Sequence, residues 1–187
     1  MQKNFLPKYL HTFLIVFTSA IIAHICTVLY FQLIRLNPAY NQLIQTYPSA
    51  KFSEIAEKDL IFSNRDIFFK YYICPFNIPN KAIHILSKEA ARNFWALSFY
   101  DNTGELVYSL NSELIHHKPL DIILSTPLQL SLVHKYYRDT HIYSADSTLM
   151  IARDITNGFA VLKAYAHTPD ELKSVQSLIS STSCEII

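Results

Sequence analysis

His116-His117, with Glu113 and Asp121 close by, is the first group to weigh as a metal site. A bound zinc ion needs three or four ligands converging on one point. Adjacent residues on a strand point to opposite faces, so one ion can seldom use both histidines. No other Cys or His stands at a recognised ligand spacing from them, and the group reads as a solvated loop. Nucleophilic catalysis would need a serine or cysteine held beside a base. Ser98, Ser109 and Ser125 fall in or beside strand-like segments, while His84, His134, His141 and His167 are scattered. Their spacing does not show whether folding brings any of them together. The chain has only two glycines, Gly104 and Gly158. That excludes a Gly-x-Ser-x-Gly elbow and the glycine-rich phosphate cradles of nucleotide sites. No catalytic residue, metal or cofactor is expected.

Charge narrows the partners. The formal net charge is +1, but Lys3, Lys8 and Arg35 stand without any acid in residues 1–35, leaving the remainder at −2. A mildly acidic domain with no basic run argues against nucleic acid. Lys135-Tyr136-Tyr137-Arg138 mixes base and aromatic as a stacking surface does, and in an acidic domain it reads as a solvated edge. Aromatic density is the feature that stands above background, with 13% Phe, Trp and Tyr. Phe68, Phe69, Tyr71, Tyr72, Phe76, Phe94, Trp95, Phe99, Tyr100 and Tyr108 are too many for one face of a sheet. Most belong to a core. Tyr72, Trp95, Tyr100 and Tyr108 are the candidates for an apolar ligand pocket or a protein interface.

The elements that position these residues begin with a membrane anchor. No Asp, Glu, Lys or Arg occurs from Tyr9 to Ile34, and 17 of the 23 residues in Thr12–Ile34 are apolar. A helix of that length measures about 34 Å, against a hydrocarbon core of about 30 Å. It is too long for the apolar region of a signal peptide, and His24-Ile25-Cys26-Thr27 offers no small-x-small cleavage site. The spacing predicts an uncleaved transmembrane helix over 12–34, preceded by a short cytoplasmic segment, 1–11. Lys3, Lys8 and the amino terminus outweigh Arg35, so the positive-inside rule places the N-terminus in the cytoplasm and exports the domain. In a bacterium this is a single-pass inner-membrane protein with a periplasmic domain. His24 and Cys26 fall mid-span, where a partner helix or simple tolerance accounts for them.

Residues 35–66 read as a juxtamembrane helix and linker. Asn37-Pro38 is a cap and first helical position, and Tyr40, Leu43, Ile44 and Tyr47 follow at helical spacing. From 67 to 187 the period becomes that of strands. Asp101-Asn102-Thr103-Gly104 marks one hairpin, and Thr156-Asn157-Gly158 marks a second, between Thr148–Arg153 and Phe159–Ala166. Thr126-Pro127 opens a short helix; Thr168-Pro169-Asp170-Glu171 opens another with a capping box. No βαβ alternation suggests a parallel sheet. The expected fold is mainly β, an antiparallel β-sandwich with short peripheral helices behind a single transmembrane helix. The domain holds two cysteines, Cys74 and Cys184, 110 positions apart. In an oxidising compartment they are expected to pair; the alternative is one buried thiol and one in a frayed tail.

Phe94-Trp95-Ala96-Leu97-Ser98-Phe99-Tyr100-Asp101-Asn102-Thr103-Gly104-Glu105-Leu106-Val107-Tyr108-Ser109-Leu110-Asn111 resembles the central hairpin of the family called domain of unknown function 1254, in its short bacterial form with one membrane helix. Cys74-Pro75-Phe76 and Ser183-Cys184-Glu185 are similar to that form's two cysteine positions. The resemblance implies a β-sandwich and a companion membrane protein of the sister family, domain of unknown function 1214. It brings no catalytic residues. Together these readings point to a non-enzymatic envelope accessory or interaction domain. A hydrolase of small envelope-borne substrates and a binder of small apolar ligands are the alternatives.

Overall fold

The computed structural model describes residues 6–35, 38–55, 66–90, 93–116, 118–140 and 148–187. Two units emerge, Met1–Pro38 and Ala39–Ile187. The first is dominated by α1, Leu6–Arg35. Within it Tyr9–Phe31 is long and apolar enough to cross a membrane, and none of that stretch is buried. Three of its hydroxyls are provided for locally. The hydroxyls of Thr18, Ser19 and Thr27 donate to the carbonyls of Leu14, Val16 and His24 at 2.9, 2.8 and 2.7 Å. Such back-bonding lets serine and threonine enter an apolar medium without an unpaired donor.

The second unit starts with α2, Pro38–Thr46, and continues as two sheets. The five-stranded sheet takes β1 (Ser53–Glu54), β2 (Phe69–Asn77), β4 (Trp95–Asp101), β5 (Leu106–Asn111) and β8 (Asn157–Tyr165), in the order β1-β2-β8-β4-β5. The four-stranded sheet takes β3 (Ile83–Ser87), β6 (Asp121–Ser125), β7 (Leu149–Ala152) and β9 (Thr182–Ile186), in the order β7-β6-β3-β9. Alternation on the strands sends Tyr72, Cys74 and Phe76, Trp95, Leu97 and Phe99, and Ala160, Leu162 and Ala164 inward from the first sheet. Ile83, Ile85, Ile122, Leu124 and Cys184 meet them from the second. The expected mainly-β sandwich is therefore the fold, and its core is the seam between the sheets.

The outer face of the five-stranded sheet carries a helix. The helical spacing of Tyr40, Leu43 and Tyr47 lays α2 on the outward residues Ile73, Phe159 and Val161 of the five-stranded sheet. The Tyr40 hydroxyl donates to the Phe76 carbonyl at 3.0 Å, and burial raises its pKa above the usual phenol value. The juxtamembrane helix is thus part of the packed unit. α3, Pro127–Thr140, starts at a reciprocal cap between Thr126 and Gln129. α4, Pro169–Ser181, starts at the Thr168–Glu171 capping box that its sequence announces.

Two sequence expectations fail. β7 and β8 do not form a hairpin. They belong to different sheets, and β7 runs parallel to β6 after the α3 crossover, so one βαβ unit sits in an otherwise antiparallel fold. Asn157-Gly158 consequently opens β8 rather than turning the chain: Gly158 lies in the ladder opposite Phe76 and Asp101. Its φ is not positive, and its smallness matters for another reason. A Cβ there would run into the Tyr100 carbonyl oxygen. The other hairpin is as expected. Gly104 has φ +84°, and Asp101 Oδ1 accepts from the Thr103 and Glu105 amides at 2.8 Å each.

Candidate functional site

The most chemically capable arrangement lies on the outer face of the four-stranded sheet. Odd residues of β3 fill the core, which turns His84 away from it, between Ile123 on β6 and Glu185 on β9. Asp121 opens β6 on the same face. His84 Nε2 lies 2.9 Å from Asp121 Oδ1, and Thr148 Oγ1, just ahead of β7, donates to Asp121 Oδ2 at 2.7 Å. One carboxylate therefore joins β3, β6 and the entry to β7. Burial works to raise its pKa. The hydrogen bonds from His84 and Thr148 and the charge of His84 outweigh that, and hold the carboxyl below its ordinary range.

A histidine oriented by a carboxylate is half of a general-base relay. Here the two side chains are 6% and 11% exposed, and both carboxylate oxygens are engaged. Ser125, further along β6 on the same face, has a buried hydroxyl with no hydrogen-bond partner among the described residues, so nothing links it to His84. Ser98 and Ser109 bond each other at 2.9 Å across β4 and β5. The arrangement ties strands together, and no nucleophile is shown at His84 among the described residues. The sequence names His84 and Asp121 separately. Their pairing depends on the β3–β6 register, 37 residues apart, which no local pattern encodes.

The four candidate aromatics separate into two pairs. Trp95 and Tyr72 are core residues of the seam. The Tyr72 phenol is pushed up to about 12, first by burial and then by the nearby Glu54 carboxylate. Contact with an outside partner is closed to them as the chain is folded. Tyr100 and Tyr108 stay half-buried: Tyr100 stacks on Phe159 with centroids 5.3 Å apart, and Tyr108 packs at the margin of the main core. At the opposite end of the five-stranded sheet from Tyr100, Phe69 meets Phe94 and Tyr165 edge-on, with Lys163 Nζ 3.9 Å over its ring.

The cysteine expectation is met. Cys74 on β2 and Cys184 on β9 are bridged, both buried, so the disulfide crosses the seam from one sheet to the other. Ser183-Cys184-Glu185 is strand rather than frayed tail. His116 lies in a turn with φ 51°, and no group of three metal-capable side chains forms among the described residues. His117 and His141 lie outside those residues. His134 and the Lys135–Arg138 run belong to α3, with Lys135 exposed. His167 packs edge-on against Phe68 at 4.8 Å.

No family model matches the chain, and no curated protein matches it either. Solved structures do share its fold. The VPA0106 protein of Vibrio parahaemolyticus superposes with a TM-score of 0.58 at 8% identity, over 82% of this chain and 35% of its own. A putative uncharacterized protein from Burkholderia cenocepacia superposes with a TM-score of 0.50 at 10% identity, over 80% of this chain and 36% of its own. The chain thus spans about a third of the length of the proteins it matches. At such identity the likeness speaks to the fold.

Proposed function

We propose that the chain is a single-pass protein of the bacterial inner membrane, with a cytoplasmic N-terminus and a periplasmic sandwich that serves as a non-enzymatic accessory or interaction domain. The observation that carries this is an exposed helix, long and apolar enough to cross a membrane, in a chain whose other unit has its cysteines bridged. The helix suits a bilayer, and a disulfide suits an exported compartment. The basic flank of the helix supports the orientation. The resemblance to domain of unknown function 1254 supports a companion membrane protein of the domain of unknown function 1214 family. The half-buried Tyr100 and Tyr108 and the more exposed Phe68 and Phe94 leave aromatic surface open to solvent, of the kind interfaces use.

The test has two parts. The full chain, expressed in a bacterium, should resist alkaline extraction from membranes, and its domain should be cut by protease as soon as the outer membrane is opened. Release by alkali, or cutting only after the inner membrane is broken, defeats the topology. Mild-detergent purification should then retain the companion protein, and Tyr100→Ala with Tyr108→Ala should weaken that retention. The hydrolase alternative rests on the His84–Asp121 pair. It is favoured only if a folded His84→Ala protein loses an ester- or amide-cleaving activity that the unaltered chain shows.

A further inference from the structure

We propose that the part of the five-stranded sheet's outer face centred on Lys163 binds a small aromatic carboxylate; the inference stands whichever compartment the domain occupies. The register lays this surface out in rows across β2, β8, β4 and β5. Phe69, Tyr165 and Phe94 form one row, and Tyr71, Lys163, Ala96 and Asn111 form the next. The row after that starts with Ile73 and Val161, on which α2 packs, and ends with Ser98 and Ser109. The surface is therefore bounded by α2 on one side and by the aromatic row on the other. Solvent reaches it: Phe94 is 39% exposed, and Lys163, Ala96 and Asn111 are half-buried.

Charge and hydrogen bonding say what this surface is made to meet. Alternation along the four strands puts no Asp or Glu on it. Lys163 Nζ is held 3.9 Å over the Phe69 ring and 5.7 Å from the centre of Tyr71, and makes no hydrogen bond or ion pair among the described residues. The ring contact fixes the ammonium in place and leaves its N–H donors unused. Ser98 and Ser109 bond each other at 2.9 Å, so one O–H of the pair is left to give. Asn111 Oδ1 accepts from the Leu114 amide at 3.0 Å, and its NH2 has no acceptor among the described residues. Donors gathered around one cation, with no carboxylate facing them, complement a ligand that is anionic and rich in acceptors.

The shape of the surface narrows that ligand further. Ala96 contributes only a methyl group between Lys163 and Asn111. Neighbouring strands lie about 4.8 Å apart, so a carboxylate on Lys163 carries the ring attached to it over Ala96 and against Phe94. A polar substituent opposite the carboxylate then points toward Asn111. One ammonium matches a single negative charge.

The full chain, oxidised and held in maltoside micelles, provides the test. It is titrated calorimetrically with 4-hydroxyphenylacetate and with the neutral 4-hydroxyphenylacetamide, with empty micelles as the blank. The acid should saturate one site with a dissociation constant of about 1 mM or tighter, and the amide should bind at least about tenfold more weakly. Lys163→Met keeps a stem over Phe69 and removes the charge; it should weaken the acid about tenfold and leave the amide unchanged. Ala96→Leu leaves Lys163 in place and fills the space beside it; it should weaken the acid by about the same factor. Should Lys163→Met not fold, Ala96→Leu decides. No saturable uptake of the acid, equal binding of acid and amide, or acid binding untouched by these substitutions in folded protein overturns the proposal.

Discussion

The two sheets of the sandwich bury one core and are held in different ways. In the five-stranded sheet the central ladder is long and continuous: β2 pairs with β8 over nine positions, from Phe69 opposite Tyr165 to Asn77 opposite Asn157. Its β4–β5 partners are joined by a tight turn whose geometry Asp101 and Gly104 fix. The four-stranded sheet is assembled from short strands far apart in sequence, one parallel and one from the end of the chain. This sheet has the His84–Asp121–Thr148 connection within it, and the Cys74–Cys184 bridge ties its last-made strand, β9, to β2 of the other sheet. Where the backbone ladder is extensive, hydrogen bonds and alternation suffice; where strands are short and non-local, side chains supply the cohesion that loop closure costs.

Removing the bridge tests this contrast most severely. Closing a 110-residue loop is worth about 4–5 kcal/mol in the chain-entropy model. Reduction, or Cys74→Ser with Cys184→Ser, should lower the urea midpoint accordingly. Hydrogen exchange should show β9 and β3 losing protection while the β2–β8 amides keep theirs; uniform loss across both sheets would dissolve the distinction. Gly158→Ala strikes the other sheet, forcing a Cβ against the Tyr100 carbonyl, and should cost about 2–3 kcal/mol. A neutral result would mean that the β4–β8 ladder yields easily, against the picture of a stiff sheet.

Asp121→Asn should cost about 2 kcal/mol near neutral pH, by weakening charge-assisted hydrogen bonds to His84 and Thr148. Asp121 titrates lower in the folded chain than in the unfolded one. The difference between the two proteins should therefore be fully present above the unfolded aspartate pKa of about 3.9 and fade as pH falls through the lower folded value. A difference unchanged by acid would show that the pair contributes through shape rather than charge. Thr168→Ala sits outside both sheets, at the cap of α4, and should cost about 1 kcal/mol with no preference between sheets in hydrogen exchange.

What the sequence made legible divides along the same line. α1, the Asp101–Gly104 hairpin and the Thr168–Glu171 cap are local signals, each complete within a few residues or one uninterrupted run, and each is present as read. Trp95 and Tyr72 are correctly placed on strands, but which aromatics face the core depends on register rather than residue type. Asn157-Gly158 carries every mark of a hairpin turn and is not one. The partners that decide it, β6 beside β7 and β2 beside β8, are remote in the chain, and the close approach of Tyr100 leaves no trace in the local pattern. His84 and Asp121 were both visible; the 2.9 Å between them was not.

The placement of β9 has a consequence for how the chain is made. β3 pairs along one edge with residues 182–186, and Cys74 finds its partner 110 positions later. At about 5–20 residues per second, a growing chain leaves that edge and thiol waiting for roughly 5–20 seconds. Through that interval the unfinished sheet offers a bare edge strand and a reactive sulfur to whatever else is in the compartment. A holding chaperone or an oxidant that caps Cys74 would act in that window, and a premature stop before residue 182 would leave the window open for good.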